Sequence, residues 1–192
     1  NTVIKRGKNL NEAHDHLLSE YEKVHPKLHK ELMKFMSGKV KLNYKKYQKL
    51  ISKPKDATRN VSGIVLNQLS KENNNIIGGS ADITGSTKAK GADGDFTKDN
   101  RLGRNINYGV REHAMAAINN GIALHGGLKA FAGAFFVFSD YCKPSIRLSA
   151  LMELPVTYVF THDTVAVGED GPTHQPIEQL VGLRAIPGLN VL

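Results

Sequence analysis

The sequence contains one cysteine, Cys142, and no tryptophan. No disulfide can therefore close within the chain, and no cysteine-based zinc cluster can be built from it. With no histidine near it in sequence, Cys142 reads as a packed thiol rather than a nucleophile. Long hydrophobic runs are also missing: no stretch of 18 apolar residues occurs, and the first ten residues, NTVIKRGKNL, lack the apolar block of a secretory signal. The expectation is a soluble, cytoplasmic chain with no membrane partner. Acidic residues are scarce only at one end. Residues 1–50 carry 12 Lys+Arg against 5 Asp+Glu, and the remainder 14 against 13, so the formal charge of +8 belongs to an N-terminal arm. No recognition motif accompanies those lysines, which argues against nucleic acid as a partner.

What is present suits one α/β domain: 192 residues, 40% of them hydrophobic. Residues 1–55 read as a helical arm too thin for its own core. Asn9 and Glu12 have capping-box spacing before Leu10, Ala13, Leu17, Tyr21 and Val24, and Pro26 either kinks that helix or starts a second one that Gly38 ends. From Asp56, an expected N-cap, helix and strand signals alternate. A helix runs to about Glu72, a strand covers NNNIIGGS, and residues 83–105 form a long polar loop. A helix then covers Arg111–Leu124, a strand Leu128–Phe131, a helix Ser145–Leu151, and a strand VTYVF. The last elements are a helix over Ile177–Arg184 and a strand over Leu189–Leu192. Such alternation predicts a doubly wound, mostly parallel sheet flanked by helices, with its ligand crevice outside the carboxyl ends of the strands. GGSAD, AGAFFVFSDY and THDTVAVGED each follow a predicted strand and should meet there.

The stretch THDTVAVGEDGPTHQPIE, residues 161–178, concentrates His162, Asp163, Glu169, Asp170, His174 and Glu178. The two histidines are twelve residues apart and lack the helical spacing of a zinc pair, so no metal site is expected, whereas imidazoles flanked by carboxylates suit proton transfer among hydroxyls. Arg59, in the first turn of its helix, has the position to hold an anion, and Ser86 can add a hydroxyl; a surface arginine and a loop serine are the plain alternatives. Glu112 opens a helix beside Val110, Met115, Ala116 and Ala117, where desolvation would raise a carboxyl pKa; an acidic residue is also routine at a helix start. Phe135, Phe138 and Tyr141, three apart, either line a flat heterocycle or fill core.

The motifs ATRNVSG, GGSADITGS, NYGVREHAMAAINNGIALHGG, AGAFFVFSDY and THDTVAVGEDGPTHQPIE, in that order from Asp56 to the C-terminus, resemble the pyrimidine-binding domain of transketolases. These thiamine-diphosphate enzymes move two-carbon ketol units from ketose phosphates to aldose phosphates in the pentose phosphate pathway. The resemblance implies that Glu112 bonds N1′ of the cofactor's aminopyrimidine ring, that Phe135, Phe138 and Tyr141 surround that ring, and that Asp82 is a polar group near cofactor and substrate. It implies that Asp170 contacts the donor's C2 hydroxyl region, that His162 and His174 bind and relay protons among substrate hydroxyls, and that Arg59 and Ser86 hold the sugar's terminal phosphate.

The family's Mg2+ and diphosphate motif, GDG followed by Asn, does not occur in these residues. The expectation is a fragment of a longer polypeptide, inactive alone, whose Mg2+ is bound by a missing domain and whose parent is a homodimer. A dihydroxyacetone synthase-like enzyme and a non-catalytic dimerising or binding module are the alternatives.

Overall fold

The computed structural model describes residues 1–53 and 55–192. They form two compact units, residues 1–39 and 40–192. In the first, α1 (Thr2–Val24) and α2 (Pro26–Met36) are joined at His25. The helix does not wait for Asn9: it starts after Asn1, and Asn9 and Glu12 lie in its interior, with Glu12 3.8 Å from Lys8. Gly7, whose helical cost is only about 1 kcal/mol, does not interrupt it. Pro26 is the first residue of α2, where its missing N–H is no loss. Leu10, Leu17 and Val24 of the expected apolar stripe are all exposed.

The second unit opens with α3 (Tyr44–Leu50), tied to α4 (Thr58–Glu72) by a network around one carboxylate. Glu72 pairs with Lys46 and accepts from Tyr47 Oη at 2.9 Å and Gln68 Nε2 at 2.8 Å. The N-cap of α4 falls at Ala57 rather than Asp56, whose Oδ1 instead accepts from the Ala57 N–H and from Asn60 Nδ2.

Four parallel strands follow in the order β2-β1-β3-β4: β1 (Ile76–Ser80), β2 (Asn105–Asn107), β3 (Lys129–Phe135) and β4 (Thr157–Thr161). Between them lie α5 (Thr84–Thr87), α6 (Glu112–His125) and α7 (Ser139–Leu151), and α8 (Gln179–Arg184) comes last. Side-chain alternation divides the core. Ala132, Ala134, Tyr158 and Phe160 pack with Met115, Tyr108 and Ala81 on one face, while Phe131 and Val159 pack with Leu66 and Leu69 of α4 on the other. A buried polar chain knits α6, α7 and β4: Asn120 Nδ2 donates to the Ser145 carbonyl at 2.9 Å, and Ser149 Oγ lies 2.8 Å from Tyr158 Oη.

Several elements differ from the sequence expectation. The strand expected to end at Phe131 runs to Phe135, and the helix expected from Ser145 starts at Ser139 and carries Pro144 inside it. Residues 189–192 form no strand; Leu189 and Val191 pack against the cluster of Phe136, Cys142 and Ile146 instead. A buried side chain pins the 83–105 segment to the end of α4. Arg104, 7% exposed, donates to the carbonyls of Ser70 at 2.6 Å and Asn73 at 2.8 Å, where α4 leaves acceptors unpaired, and to Asp93 Oδ2 through Nε at 2.8 Å and Nη2 at 2.7 Å. No described helix is long and apolar enough to cross a membrane.

Replacing Arg104 by alanine should strand the Ser70 and Asn73 carbonyls and lower unfolding free energy by about 3 kcal/mol. Thermal or denaturant unfolding measures it, and a change under about 0.5 kcal/mol, typical of surface sites, would contradict the stapling role.

Candidate functional site

β1, β3 and β4 run parallel and finish at one edge of the sheet with β3 in the middle, and the residues just beyond the ends of β1 and β4 take unusual backbone angles. Asp82, two residues after β1, has φ 65°, and His162, directly after β4, has φ 57°. Such left-handed geometry is uncommon outside glycine and concentrates where structure is held for a purpose.

His162 is gripped from three sides. Arg59, the second residue of α4, brings Nη1 to 2.8 Å from His162 Nε2. A guanidinium has only donors, so Nε2 accepts and the imidazole is neutral. Its proton then sits on Nδ1, which lies 2.9 Å from Thr161 Oγ1 and donates to it. The Phe135 ring lies 3.9 Å away, centroid to centroid. Burial, reinforced by the positive Arg59, pushes the His162 pKa below its ordinary value, while the carboxylates of Asp170 and Asp163 pull the other way. Among the described residues, the Arg59 Nε is buried without a hydrogen-bond partner.

The rings continue outward from that point. Phe135 stacks at 6.2 Å and 13° on Phe138, which lies 6.0 Å from Tyr141. His174 sets its edge against Phe138 at 5.2 Å and against Phe135 at 6.1 Å. Phe135 is 8% exposed and Tyr141 64%, so the wall is sealed at its root and open at its tip. The structure therefore joins Arg59, Phe135, Phe138, Tyr141, His162 and His174 in one cluster, with Asp170 near enough to act on His162 electrostatically.

Asp82 and Ser86 are both exposed, and among the described residues no hydrogen bond or ring contact joins either to the cluster. Ser86 follows Gly85, which lines a separate cleft of about 960 Å³ between α4, α5 and β2. Glu112 is half-buried. Of its expected apolar neighbours, Met115 and Ala116 are buried, but Val110 is 76% exposed and Ala117 is also exposed, so the setting is half open. Its charge reaches Cys142, whose thiol donates to the Ser139 and Phe138 carbonyls at 3.5 and 3.8 Å. Glu112 is therefore close enough to α7 to act electrostatically on Cys142. No group of three or more metal-ligating side chains gathers among the described residues. Thr161, Gln175 and Gln179 contribute to the site and carried no sequence signal beyond their places on the loop's borders.

Burial pushes the Cys142 thiol up to about 12, with Glu112 and Asp140 adding to the shift. A thiol reagent at neutral pH should leave the native chain unmodified and react once it is unfolded; fast native labelling would contradict this. For His162 the lowered folded pKa stabilises the fold above the ordinary value of 6.5, and that contribution is lost as pH falls through the folded value. H162N should flatten the acid-side decline of the unfolding midpoint below pH 6.5 relative to the parent. Parallel curves would refute the assignment.

A family model described as transketolase, pyrimidine binding domain, matches residues 55–192. The transketolase of Staphylococcus epidermidis is 47% identical over 193 residues, covering 100% of this chain and 29% of the relative. That of Geobacillus stearothermophilus is 52% identical over 178 residues, covering 91% and 26%. A Pichia stipitis transketolase solved with sedoheptulose-7-phosphate superposes with a TM-score of 0.82 at 42% identity, over 96% of this chain and 29% of that one. The Leishmania mexicana transketolase superposes with a TM-score of 0.83 at 37% identity, over 96% and 28%. The chain thus spans less than a third of these relatives' length. These matches show that the chain belongs to the transketolase pyrimidine-binding domain family.

Proposed function

We propose that these residues supply the pyrimidine half of a thiamine-diphosphate site in an enzyme that transfers a two-carbon ketol unit from a ketose phosphate to an aldose phosphate. The observation that carries this reading is the meeting of Arg59, His162, His174 and three aromatic rings at one sheet edge. A ring wall sealed at Phe135 and open at Tyr141 fits a flat heterocycle, and half-buried Glu112, whose charge reaches Cys142 of the ring-bearing helix, is the carboxyl that can bond a ring nitrogen. When bound, the cofactor supplies the acidic carbon and the electron sink for cleaving and forming the carbon–carbon bond.

The chain's own residues do the rest. Glu112 holds N1′ of the aminopyrimidine, Phe135, Phe138 and Tyr141 position that ring, and Asp82 is a polar group near cofactor and substrate. Neutral His162, whose Nε2 lone pair would pass from Arg59 to a substrate hydroxyl, and His174 bind substrate hydroxyls and move protons among them. Asp170 addresses the donor's C2 hydroxyl, and Arg59 with Ser86 binds the terminal phosphate, as a fork of donors suits a phosphate. Mg2+ and the diphosphate are held by residues outside this sequence. We assign residues 56–192 to the pyrimidine domain and 1–55 to a helical linker, in a cytoplasmic homodimer of the pentose phosphate pathway. The ketose phosphate named with the Pichia relative supports the substrate class.

The purified 192-residue chain, given thiamine diphosphate and Mg2+, should show no measurable ketol transfer; turnover would overturn the half-site reading. In the complete enzyme, E112Q should lower kcat by roughly 100-fold, the scale of a lost proton-transfer partner. Undiminished turnover of that variant, or a preference for formaldehyde as acceptor, would sink the assignment.

A further inference from the structure

The 162–178 loop carries His162, Asp170 and His174, yet its own backbone does little to hold it. Its backbone hydrogen bonds among the described residues are Val167 to Thr164, His174 to Gly171 and Gln175 to Pro172, each spanning three residues. Such bonds shape turns; they do not fix a loop's two limbs against each other or against the sheet. Two glutamine side chains do that. Gln175, half-buried, donates from Nε2 to the Val167 carbonyl at 2.8 Å, drawing the outgoing limb to the incoming one across the exposed Asp170 tip. Gln179, 4% exposed, uses both ends of its amide: Oε1 accepts the Ile177 N–H at 2.8 Å and Nε2 donates to Asp140 Oδ2 at 2.7 Å. Asp140 lies in the first turn of α7, between Phe138 and Tyr141. One amide therefore fixes the loop's exit to the element that carries the outer rings, and the other keeps the loop folded on itself.

We infer that Gln175 and Gln179 are positioning residues that clamp the 162–178 loop, so that Asp170 and His174 are held over the ring wall before a ligand arrives. The contribution to substrate affinity rests on the proposed function; the clamp itself does not. A loop ordered in advance loses less freedom on binding than one that must close around its ligand. Without the clamp, the cost of ordering the loop falls on substrate binding. Losing one such hydrogen bond should weaken donor binding about tenfold. The effect should fall on KM more than on kcat, because the reacting groups themselves are intact.

The test uses Q175M and Q179M, close in length to glutamine but unable to make these bonds, and Q175K, which restores a donor toward the Val167 carbonyl. In the 192-residue chain, amide exchange at residues 163–175 should quicken about tenfold in both methionine variants while β1, β3 and β4 keep their protection. In the complete enzyme, Q175M should raise the donor KM about tenfold, and Q175K should recover most of that loss. Unchanged loop exchange in Q175M overturns the clamp whatever the kinetics show, and Q175M answers the question even if the buried Q179M fails to fold. Faster exchange with an unchanged donor KM overturns the link to substrate. Should the parent enzyme itself lack ketol transfer, the functional reading falls and loop exchange alone decides the clamp.

Discussion

The hydrogen bond from Arg59 to the His162 imidazole spans 103 residues of sequence and joins α4 to the residue that follows the edge strand β4. Everything at the sheet's carboxyl edge depends on that approach. It fixes the imidazole tautomer, because a guanidinium can only donate. It also keeps the ring uncharged, because a protonated Nε2 would face a cation at hydrogen-bond distance. With the ring so held, Phe135 has a flat partner at 3.9 Å, and the aromatic series proceeds outward to an exposed tyrosine. The parallel sheet makes the approach possible, since strands running in one direction bring their carboxyl ends to one side.

Much of this was legible in the chain. Alternating helix and strand signals from Asp56 onward predicted the α/β architecture, although the strand read as ending at Phe131 runs on to Phe135, and AGAFFVFSDY and the 161–178 loop supplied the rings and imidazoles of the cluster. What escaped notice depended on distant partners. β2 is Asn-Ile-Asn, with no apolar pattern, and becomes a strand because Gly78 to Ser80 offer their ladder to it and Arg104 pins the preceding loop. The capping-box spacing at Asn9 was genuine as a pattern, but nothing upstream stops the helix from starting earlier. The environment of Glu112 was only half readable, since helical neighbours in sequence include both buried Met115 and outward-facing Ala117. The glutamines of the loop carry no charge and no motif chemistry of their own; their importance appears only once Val167 and Asp140 are seen at the other ends of their bonds.

Packing and chemistry divide the labour among similar residue types. Cys142 and Tyr158 are titratable groups, both pushed up to about 12 by burial, and they act as neutral hydrogen-bonding groups: Tyr158 ties β4 to Ser149 of α7, and Cys142 donates to carbonyls at the start of α7 itself. Glu72 is displaced the other way, to about 2, by hydrogen bonds from Lys46, Gln68 and Tyr47, and it serves docking of α3 rather than the sheet edge. His162 combines both influences, partly shielded like the first pair and charge-coupled like Glu72. That combination separates it from the structural ionisable groups.

The left-handed backbone at Asp82 and His162 also restricts what can stand in those places. Aspartate, asparagine and histidine tolerate that conformation better than other side chains bearing a Cβ, and branched residues tolerate it worst. Steric permission and useful chemistry thus select overlapping sets of amino acids at both posts. Mutational drift there is narrowed twice over, and the few exchanges the main chain would accept are mostly ones that keep a hydrogen-bonding head.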